Sequence, residues 1–500
     1  MVATLHSKPG APPGVDNLIL VSSDTHIGPK LSQLREYCPQ QYLEQFDEFA
    51  ASKQAEIDAT IAQAKFALAM AKGEEVDFEA LMKTAMASGG MGSDAGMAGR
   101  MGPGARMAAA MAEGDPTREQ EIAARMGNAM PSAQMAGSMQ MIANRLTDGH
   151  HDMHTRLRDM DADGLACEII FHGSQNGEPI PFITPHDLPA GLTTPFTFDG
   201  LDLDLAYAGM HMYNEWLADQ CSIEPERHVG LAYIPAWDPA LSVQEAEWAR
   251  GRGLRGINFP AWRPGMPVLQ DEAWEPLYAA SAAMSMPLTN HGGAGDERYW
   301  PAGEGVLLRF MESAYHSRRL IWSLLFHGTF EKYPNLRLMI SEIPGEWWPY
   351  LMKELDSITG MHGGAGNASE ICSEHVYHGA TFMSREEALD AYEHDYTRNI
   401  VWGSDYPHVE GTWQLPMNED EEPQTHLAIR EAFAGIPEEP VRDMLGLNGV
   451  RAYDLDLEAL QKVANRITAP TYDEIKDELP AEDVPAAHGL FAFRRVGPWS

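Results

Sequence analysis

Short apolar runs alternate with longer segments of helical periodicity from residue 17 to about residue 455. Most of these runs are apolar at nearly every position, which is typical of parallel strands covered on both faces. Strands separated by helices predict βαβ units and a parallel sheet. Eight such runs predict an α/β protein with a closed (β/α)8 TIM-like barrel. The runs are 17–23, 165–171, 228–235, 254–260, 286–291, 336–342, 375–382 and 398–405.

Two regions depart from this alternation and define the expected domain organisation. Residues 45–145 form a long insertion after the first strand, helical in its first part and a low-complexity Met/Ala/Gly tract in its second. The tract is either a flexible surface excursion or a cap or subunit contact, because methionine adapts to irregular apolar surfaces. We therefore expect an N-terminal arm over 1–16, a barrel with its insertion over 17–460, and a C-terminal tail over 461–500.

Charge and cysteine content narrow the class of protein. The chain has 36 basic and 73 acidic residues, a formal charge of −37 that disfavours binding to nucleic acid or to an anionic membrane surface. Its four cysteines show no CxxC pairing, so no disulfide framework is expected, which fits a reducing cytoplasm. The amino terminus lacks the apolar core of a signal peptide, and no window reaches the length of a membrane span. These features predict a cytoplasmic protein.

Three strand ends carry side chains of the kind that bind metals. Asp24 and His26 follow the first apolar run, and residues two apart on a strand point to the same side. His291 ends the fifth run, in MPLTNHGG, and Asp405 ends the eighth, in WGSDYPHVEGTW. Carboxylate oxygens and imidazole nitrogens suit Zn²⁺, Mn²⁺ or Fe²⁺. Active sites of such barrels lie at the carboxyl ends of the strands, where these residues fall.

Each of these motifs also has a purely structural interpretation. An aspartate at a strand end can cap the next helix, His291 can be a hydrogen-bonded loop residue, and SDYP can form a turn. His408, close behind Asp405, could orient that carboxylate or contact substrate. His150 and His154 have the i, i+4 spacing of a helical metal pair, but we favour a polar edge of the insertion. The joint occurrence of ligands at three strand ends favours a metal site.

The segments DTHIGP, MPLTNHGG, HGTFEKYPNLRLMISEIPGEWWPYLMKELD and WGSDYPHVEGTW, in this order, resemble the amidohydrolase superfamily. The resemblance is to the amidohydrolase-related branch that contains aminocarboxymuconate-semialdehyde decarboxylase, and it covers most of 17–455. It implies a barrel with one divalent metal ion, Zn²⁺ first and Mn²⁺ or Fe²⁺ as alternatives. By the same resemblance, the ligands are Asp24, His26, His291 and Asp405.

The sequence also departs from that family. The first-strand pair is Asp-x-His, where related enzymes often carry His-x-His or Glu-x-His. Glu342 stands where the well-known decarboxylases have a histidine after the sixth strand. It is either an alternative acid/base or ligand, or a group that holds a histidine. His172, at the end of the second run, is a candidate for contact with substrate.

We expect a metal-dependent hydrolase acting on a small cyclic or aromatic carboxylic acid or amide. Metal-activated water would attack, Asp405 would accept its proton, and His291 or His172 would stabilise the oxyanion. The first alternative is non-oxidative decarboxylation of an aromatic or related acid, in which Asp405 handles the ring proton. The second is an inactive barrel that binds a ligand or partner. The family further suggests a homodimer or a higher homo-oligomer.

Overall fold

Eight parallel strands, paired in chain order, form the sheet within the part of the chain that is described. Every predicted strand region is confirmed, and the architecture is the expected α/β barrel. Residues 1–15, residues 75–141 with the Met/Ala/Gly-rich tract, and most of the tail beyond 480 lie outside the described residues. The structure is a computed structural model that describes residues 16–74, 142–173, 178–183, 198–292, 305–343, 345–362, 366–381, 383–408, 411–416, 424–467, 469–480, 483–484 and 492–493.

The first and last strands meet, so the sheet closes. Thr25 and Tyr406 form an isolated parallel bridge, and the amide of Asp405 donates to the carbonyl of Asp24 at 2.9 Å. The chain therefore brings its earliest and latest strand ends together. The strands are β1 (Leu20–Ile27), β2 (Leu165–His172), β3 (His228–Tyr233), β4 (Gly256–Asn258), β5 (Leu288–His291), β6 (Leu338–Ser341), β7 (Val376–Thr381) and β8 (Ile400–Gly403).

Helices follow the strands and cover the outside of the barrel. Those described are α1 (Leu31–Leu34), α2 (Leu43–Ala71), α3 (Met153–Asp163), α4 (Leu203–Cys221), α5 (Pro239–Gly251), α6 (Glu275–Met284), α7 (Gly305–Phe326), α8 (Thr329–Lys332), α9 (Trp348–Met361), α10 (Ala368–His375), α11 (Arg385–Glu393), α12 (Gln424–Phe433), α13 (Glu438–Arg442), α14 (Asn448–Tyr453), α15 (Leu457–Arg466) and α16 (Tyr472–Ile475). None of them combines the length and apolar composition needed to cross a bilayer. The helix α2 lies at the start of the predicted insertion. All four cysteines are buried and have free thiols.

Local sequence explains where several of these helices begin and end. Asp152 accepts a hydrogen bond from the amide of Thr155 and caps α3, which ends at Gly164 in the left-handed region. Asp238 caps α5 in the same way, with a proline at the first helical position. Such caps satisfy amides that lack an intrahelical partner. They set the lengths of the helices and therefore the positions at which the strands enter the barrel.

Alternate strand residues face opposite sides of the barrel wall. Odd-numbered residues, such as Cys167 and Val401, belong to one apolar cluster, which also includes residues of α14 and α15. Even-numbered residues, such as Ile170 and Leu338, pack with the surrounding helices in a larger cluster. In β2, β3 and β5–β8, parity mostly separates side chains that point into the barrel from those that point towards the helices, whereas Ile257 of β4 packs in the helix-facing cluster.

Strand β1 changes this parity in its middle. Val21 pairs with Cys167, but His26 pairs with Phe171, so the register shifts between Ser22 and Thr25. A bulge of this kind inserts one extra residue and changes which side chains point inward. As a result Val21 faces the interior before the bulge, and the even-numbered residues Asp24 and His26 face it afterwards.

A buried carboxyl at the end of α3 generates a prediction for pH dependence. Asp163 is buried and accepts a hydrogen bond from the hydroxyl of Thr425 at 2.7 Å. Burial raises the pKa of Asp163 to about 7, the negative charge of Asp159 acts in the same direction, and the Thr425 hydrogen bond opposes both. The folded protein therefore keeps this proton at a pH where the unfolded chain has lost it.

We expect this carboxyl to favour the folded state most at low pH and to lose that contribution as pH rises through about 7. Asp163→Asn should remove this slope, which amounts to at most about 1.4 kcal/mol per pH unit. Urea unfolding of both proteins at pH 6, 7 and 8 measures it. Asp204→Asn, an exposed carboxylate in the first turn of α4, controls for the change in net charge. Parallel pH profiles for wild type and Asp163→Asn would contradict the assignment.

Candidate metal centre

The carboxylate of Asp24 is held in one orientation at the end of β1. Its Oδ2 accepts hydrogen bonds from the hydroxyls of Ser341 at 3.0 Å and Thr381 at 2.8 Å. Its Oδ1 lies 3.2 Å from Nε2 of His26. Burial favours the neutral acid, but the charge of His291 and the close contact with His26 outweigh it and lower the pKa of Asp24. Asp24 is therefore a fully buried carboxylate.

The imidazole of His26 lies between two carboxylates. Its Nδ1 is 3.2 Å from the carbonyl oxygen of His172, which can only accept, so Nδ1 carries a proton and donates it. Its Nε2 lies 3.2 Å from Asp24 and 3.1 Å from Oδ1 of Asp405. Burial lowers the pKa of His26, but the two carboxylates outweigh burial and raise it to about 10. The position at Nε2 is therefore one that favours a cation, either a proton or a metal ion.

Asp405 is placed by the loop that follows β8. Its φ of +55° lies in the left-handed region, a conformation that costs an aspartate on the order of 1 kcal/mol or more. A Cβ at Gly411 would lie 2.4 Å from the carbonyl oxygen of Ser404, so only glycine lets this loop fold back over the carboxylate. Burial raises the pKa of Asp405 to about 6, although the close contact with His26 and the charge of that ring act in the opposite direction. Asp405 can therefore hold a proton more readily than Asp24.

His291 completes the cluster from the end of β5. Its Nε2 lies 3.5 Å from Oδ2 of Asp24. Its Nδ1 lies 2.9 Å from the carbonyl oxygen of Gly292 and 3.2 Å from Oε2 of Glu342. Burial lowers the pKa of His291, but the charges of Asp24 and Glu342 outweigh burial and raise it.

The donor atoms of this cluster fit a divalent cation. Asp24, His26 and His291 present ligand atoms within 4.8 Å of one another, and so do His26, Asp405 and His408. The atoms that face one another are buried and lack hydrogen-bond geometry: Oδ1 of Asp24, Nε2 of His26 and of His291, and both oxygens of Asp405. A buried carboxylate that no cation or hydrogen-bond donor compensates lowers the stability of the folded protein. Two carboxylates with two or three imidazoles are a donor set suited to Zn²⁺ or Mn²⁺.

A buried arginine supports the strand end that carries His26. Arg156 of α3 donates to both oxygens of Glu168, at 2.7 and 2.6 Å, and to the carbonyl oxygen of His26 at 2.8 Å. Its guanidinium also lies over the ring of Tyr406, the residue after Asp405, at 4.7 Å. The planar fork of arginine therefore links the segments that carry the first and last strand-end carboxylates.

The structure places five of the candidate site residues close together: Asp24, His26, His291, Asp405 and Glu342. It does not bring the ring of His172 to them. His172 has the parity of residues that point towards the helices, and its ring contacts Tyr213 of α4, with centroids 5.1 Å apart. Its part in the cluster is through its backbone carbonyl.

Other residues of the site had a weaker signal in the sequence. The Nδ1 of His408 lies 3.1 Å from Asp405, and its ring stacks on His26 with centroids 3.7 Å apart. Ser341 and Thr381 are uncharged, and only their positions as the last residues of their strands could have indicated them. His150 is buried, and its ring centroid lies 6.3 Å from that of His408. His154 is exposed, so this i, i+4 pair does not form a metal site.

Comparison with known proteins identifies the family. The family model described as Amidohydrolase matches residues 152–455, so the chain belongs to the amidohydrolase family. A gamma-resorcylate decarboxylase from a Polaromonas species is 29% identical over 157 residues, which is 29% of this chain and 46% of that protein. The chain thus spans less than half the length of this characterised relative.

Solved structures of decarboxylases are also similar. One is a 5-carboxyvanillate decarboxylase from Novosphingobium aromaticivorans with bound manganese and 3-methoxy-4-hydroxy-5-nitrobenzoic acid. It is 16% identical, covers 88% of this chain and 97% of its own, and gives a TM-score of 0.49. A dihydroxybenzoic acid decarboxylase from Polaromonas with bound manganese and 2-nitroresorcinol is 19% identical in sequence. The match covers 67% of this chain and 93% of that chain, with a TM-score of 0.45.

His26 belongs to both clusters of possible metal ligands, so its removal is expected to weaken metal binding. His26→Ala should reduce the Mn²⁺ or Zn²⁺ that copurifies or rebinds from about one per chain to almost none, because both groups lose a ligand atom. Elemental analysis after dialysis measures the ratio. His394→Ala, which replaces an exposed histidine directly after α11, is the matched control. A His26→Ala protein that kept stoichiometric metal would exclude this residue as a ligand.

Proposed function

We propose that this protein is a metal-dependent non-oxidative decarboxylase of a hydroxylated aromatic acid. The observation that carries the proposal is the convergence of buried, uncompensated donor atoms from Asp24, His26, His291 and Asp405 at the carboxyl ends of three strands of the barrel. The similarity to gamma-resorcylate decarboxylase favours loss of carbon dioxide over the hydrolysis expected from the sequence.

In this proposal Asp24, His26, His291 and Asp405 hold the metal. A bound divalent ion supplies the positive charge that holds the substrate's carboxylate and an adjoining hydroxyl oxygen. Phe171 is buried beside both histidines, with its ring centroid 6.0 Å from that of His26 and 5.0 Å from that of His291. Such a surface suits the face of an aromatic ring.

Asp405 is the proposed proton carrier. Its Oδ1 contacts His26 and His408, whereas its Oδ2 is buried with no hydrogen-bond partner among the described residues. The carboxyl group donates its proton to the ring carbon that bears the substrate carboxylate. The bond between that carbon and the carboxylate then breaks, its electron pair restores the aromatic ring, and carbon dioxide leaves. Asp405 regains a proton from water before the next turnover.

Isotope labelling tests this reaction against hydrolysis. The metal-loaded enzyme is incubated with 2,6-dihydroxybenzoate and other ortho-hydroxybenzoates in D2O and separately in H2¹⁸O. We expect release of carbon dioxide, one deuterium at the ring carbon that lost the carboxylate, and no ¹⁸O in the aromatic product. Incorporation of ¹⁸O into the organic product would support hydrolysis instead. Absence of turnover across aromatic acids, lactones and amides by a metal-loaded protein would support a binding role.

Replacing the proton carrier while keeping its shape gives a second test. Asp405→Asn should lower kcat by at least about 100-fold, because an amide cannot deliver the proton yet retains an oxygen. Metal content and the thermal unfolding midpoint, measured on the same sample, show whether the site and fold persist. Wild-type turnover by a metal-loaded Asp405→Asn protein would remove Asp405 from this role.

A further inference from the structure

Glu342 has an unusual backbone and an acidic side chain at the edge of the metal centre. It follows β6 directly, and its φ of +51° lies in the left-handed region that side chains other than glycine rarely adopt. Non-glycine residues in this region often mark functional sites. The resemblance to decarboxylases predicts a histidine at this position, where this chain has a carboxylate.

The position of Glu342 is fixed by the neighbouring strand end. A Cβ at Gly292 would lie 2.3 Å from the carbonyl oxygen of Glu342, so the two segments approach closely only because residue 292 is glycine. The amide of Gly292 also donates to the carbonyl oxygen of Ser341 at 2.9 Å. These contacts hold the backbone of Glu342 against the residue that follows His291.

The contact between the side chains of Glu342 and His291 involves one particular nitrogen. Oε2 of Glu342 lies 3.2 Å from Nδ1 of His291, and the carbonyl oxygen of Gly292 lies 2.9 Å from the same atom. Two acceptors at Nδ1 keep the proton on that nitrogen. The other nitrogen, Nε2, then carries the lone pair, and it is the atom that lies 3.5 Å from Asp24.

We propose that Glu342 is a positioning residue for His291: it fixes the tautomer and ring orientation and strengthens Nε2 as a metal ligand, without binding metal or carrying a proton itself. The proposal rests on the metal centre of the proposed function. Glu342 is absent from both groups of converging donor atoms, and its contact is with the nitrogen that faces away from Asp24. Carboxylates that accept the second N–H of a ligating histidine typically raise metal affinity 10- to 100-fold.

Metal titration of the apo protein tests this role without using turnover. Glu342→Gln keeps the shape and one acceptor oxygen but loses the charge, whereas Glu342→Ala loses both. Isothermal titration with Mn²⁺ should show a Kd about 10-fold weaker for the glutamine variant and about 100-fold weaker for the alanine variant. Glu354→Gln, an exposed carboxylate on α9, is the matched control and should bind like wild type. Circular dichroism of each apo protein shows whether the fold is retained.

Turnover at saturating Mn²⁺ separates positioning from the other roles. Glu342→Gln should regain most of the wild-type kcat once the metal site is filled. Unchanged Mn²⁺ affinity in both variants would overturn the inference, as would a kcat that stayed at least about 100-fold low at full occupancy, since that is the loss expected for a proton carrier. If wild type itself bound no Mn²⁺ or Zn²⁺, the proposed function would fail first and the role of Glu342 with it.

Discussion

The structure depends on the environment of one atom, Nε2 of His26. Two carboxylate oxygens lie 3.2 and 3.1 Å from it, and its ring is buried. Since the other nitrogen donates to the carbonyl of His172, this lone pair faces negative charge unless a cation occupies the position. The pKa of His26, about 10, expresses the same requirement, because the protein binds a proton there strongly despite burial. The architecture around this atom concentrates negative charge that only a cation compensates.

Backbone features bring these groups together. The bulge in β1 moves Asp24 and His26 to the interior, and the closure of the barrel places Asp405 beside them through a direct backbone hydrogen bond. Hydroxyls of Ser341 and Thr381 occupy one oxygen of Asp24 and leave the other directed at His26. The cluster is thus built from strand ends, whose positions are determined by the packed barrel, more than from loops.

The sequence predicted much of this because strand ends carry its strongest signals. Apolar runs located all eight strands, and the i, i+2 spacing placed Asp24 and His26 on one side. The bulge could not be predicted, since it depends on the register with β2 and has no local signature. His172 was expected in the pocket because it ends a strand, yet parity turns its ring towards α4. Arg156 reaches the site only through the tertiary fold, and no short motif indicates it. His150 was noticed as one of an i, i+4 pair, but its place beside His408 depends on the tertiary fold.

The closure of the barrel by its first and last strands has a consequence for the timing of biosynthesis. Asp24 and Asp405 are separated by some 380 positions, and chains grow at roughly 5–20 residues per second. A nascent chain therefore carries the Asp24 and His26 pair for roughly 20–80 s before the last ligand has been synthesised. During this interval a cation has only an incomplete chelate to bind, so tight capture must wait until the eighth strand docks. For the proposed metal site, loading would therefore follow the completion of the barrel and would be a late event in maturation.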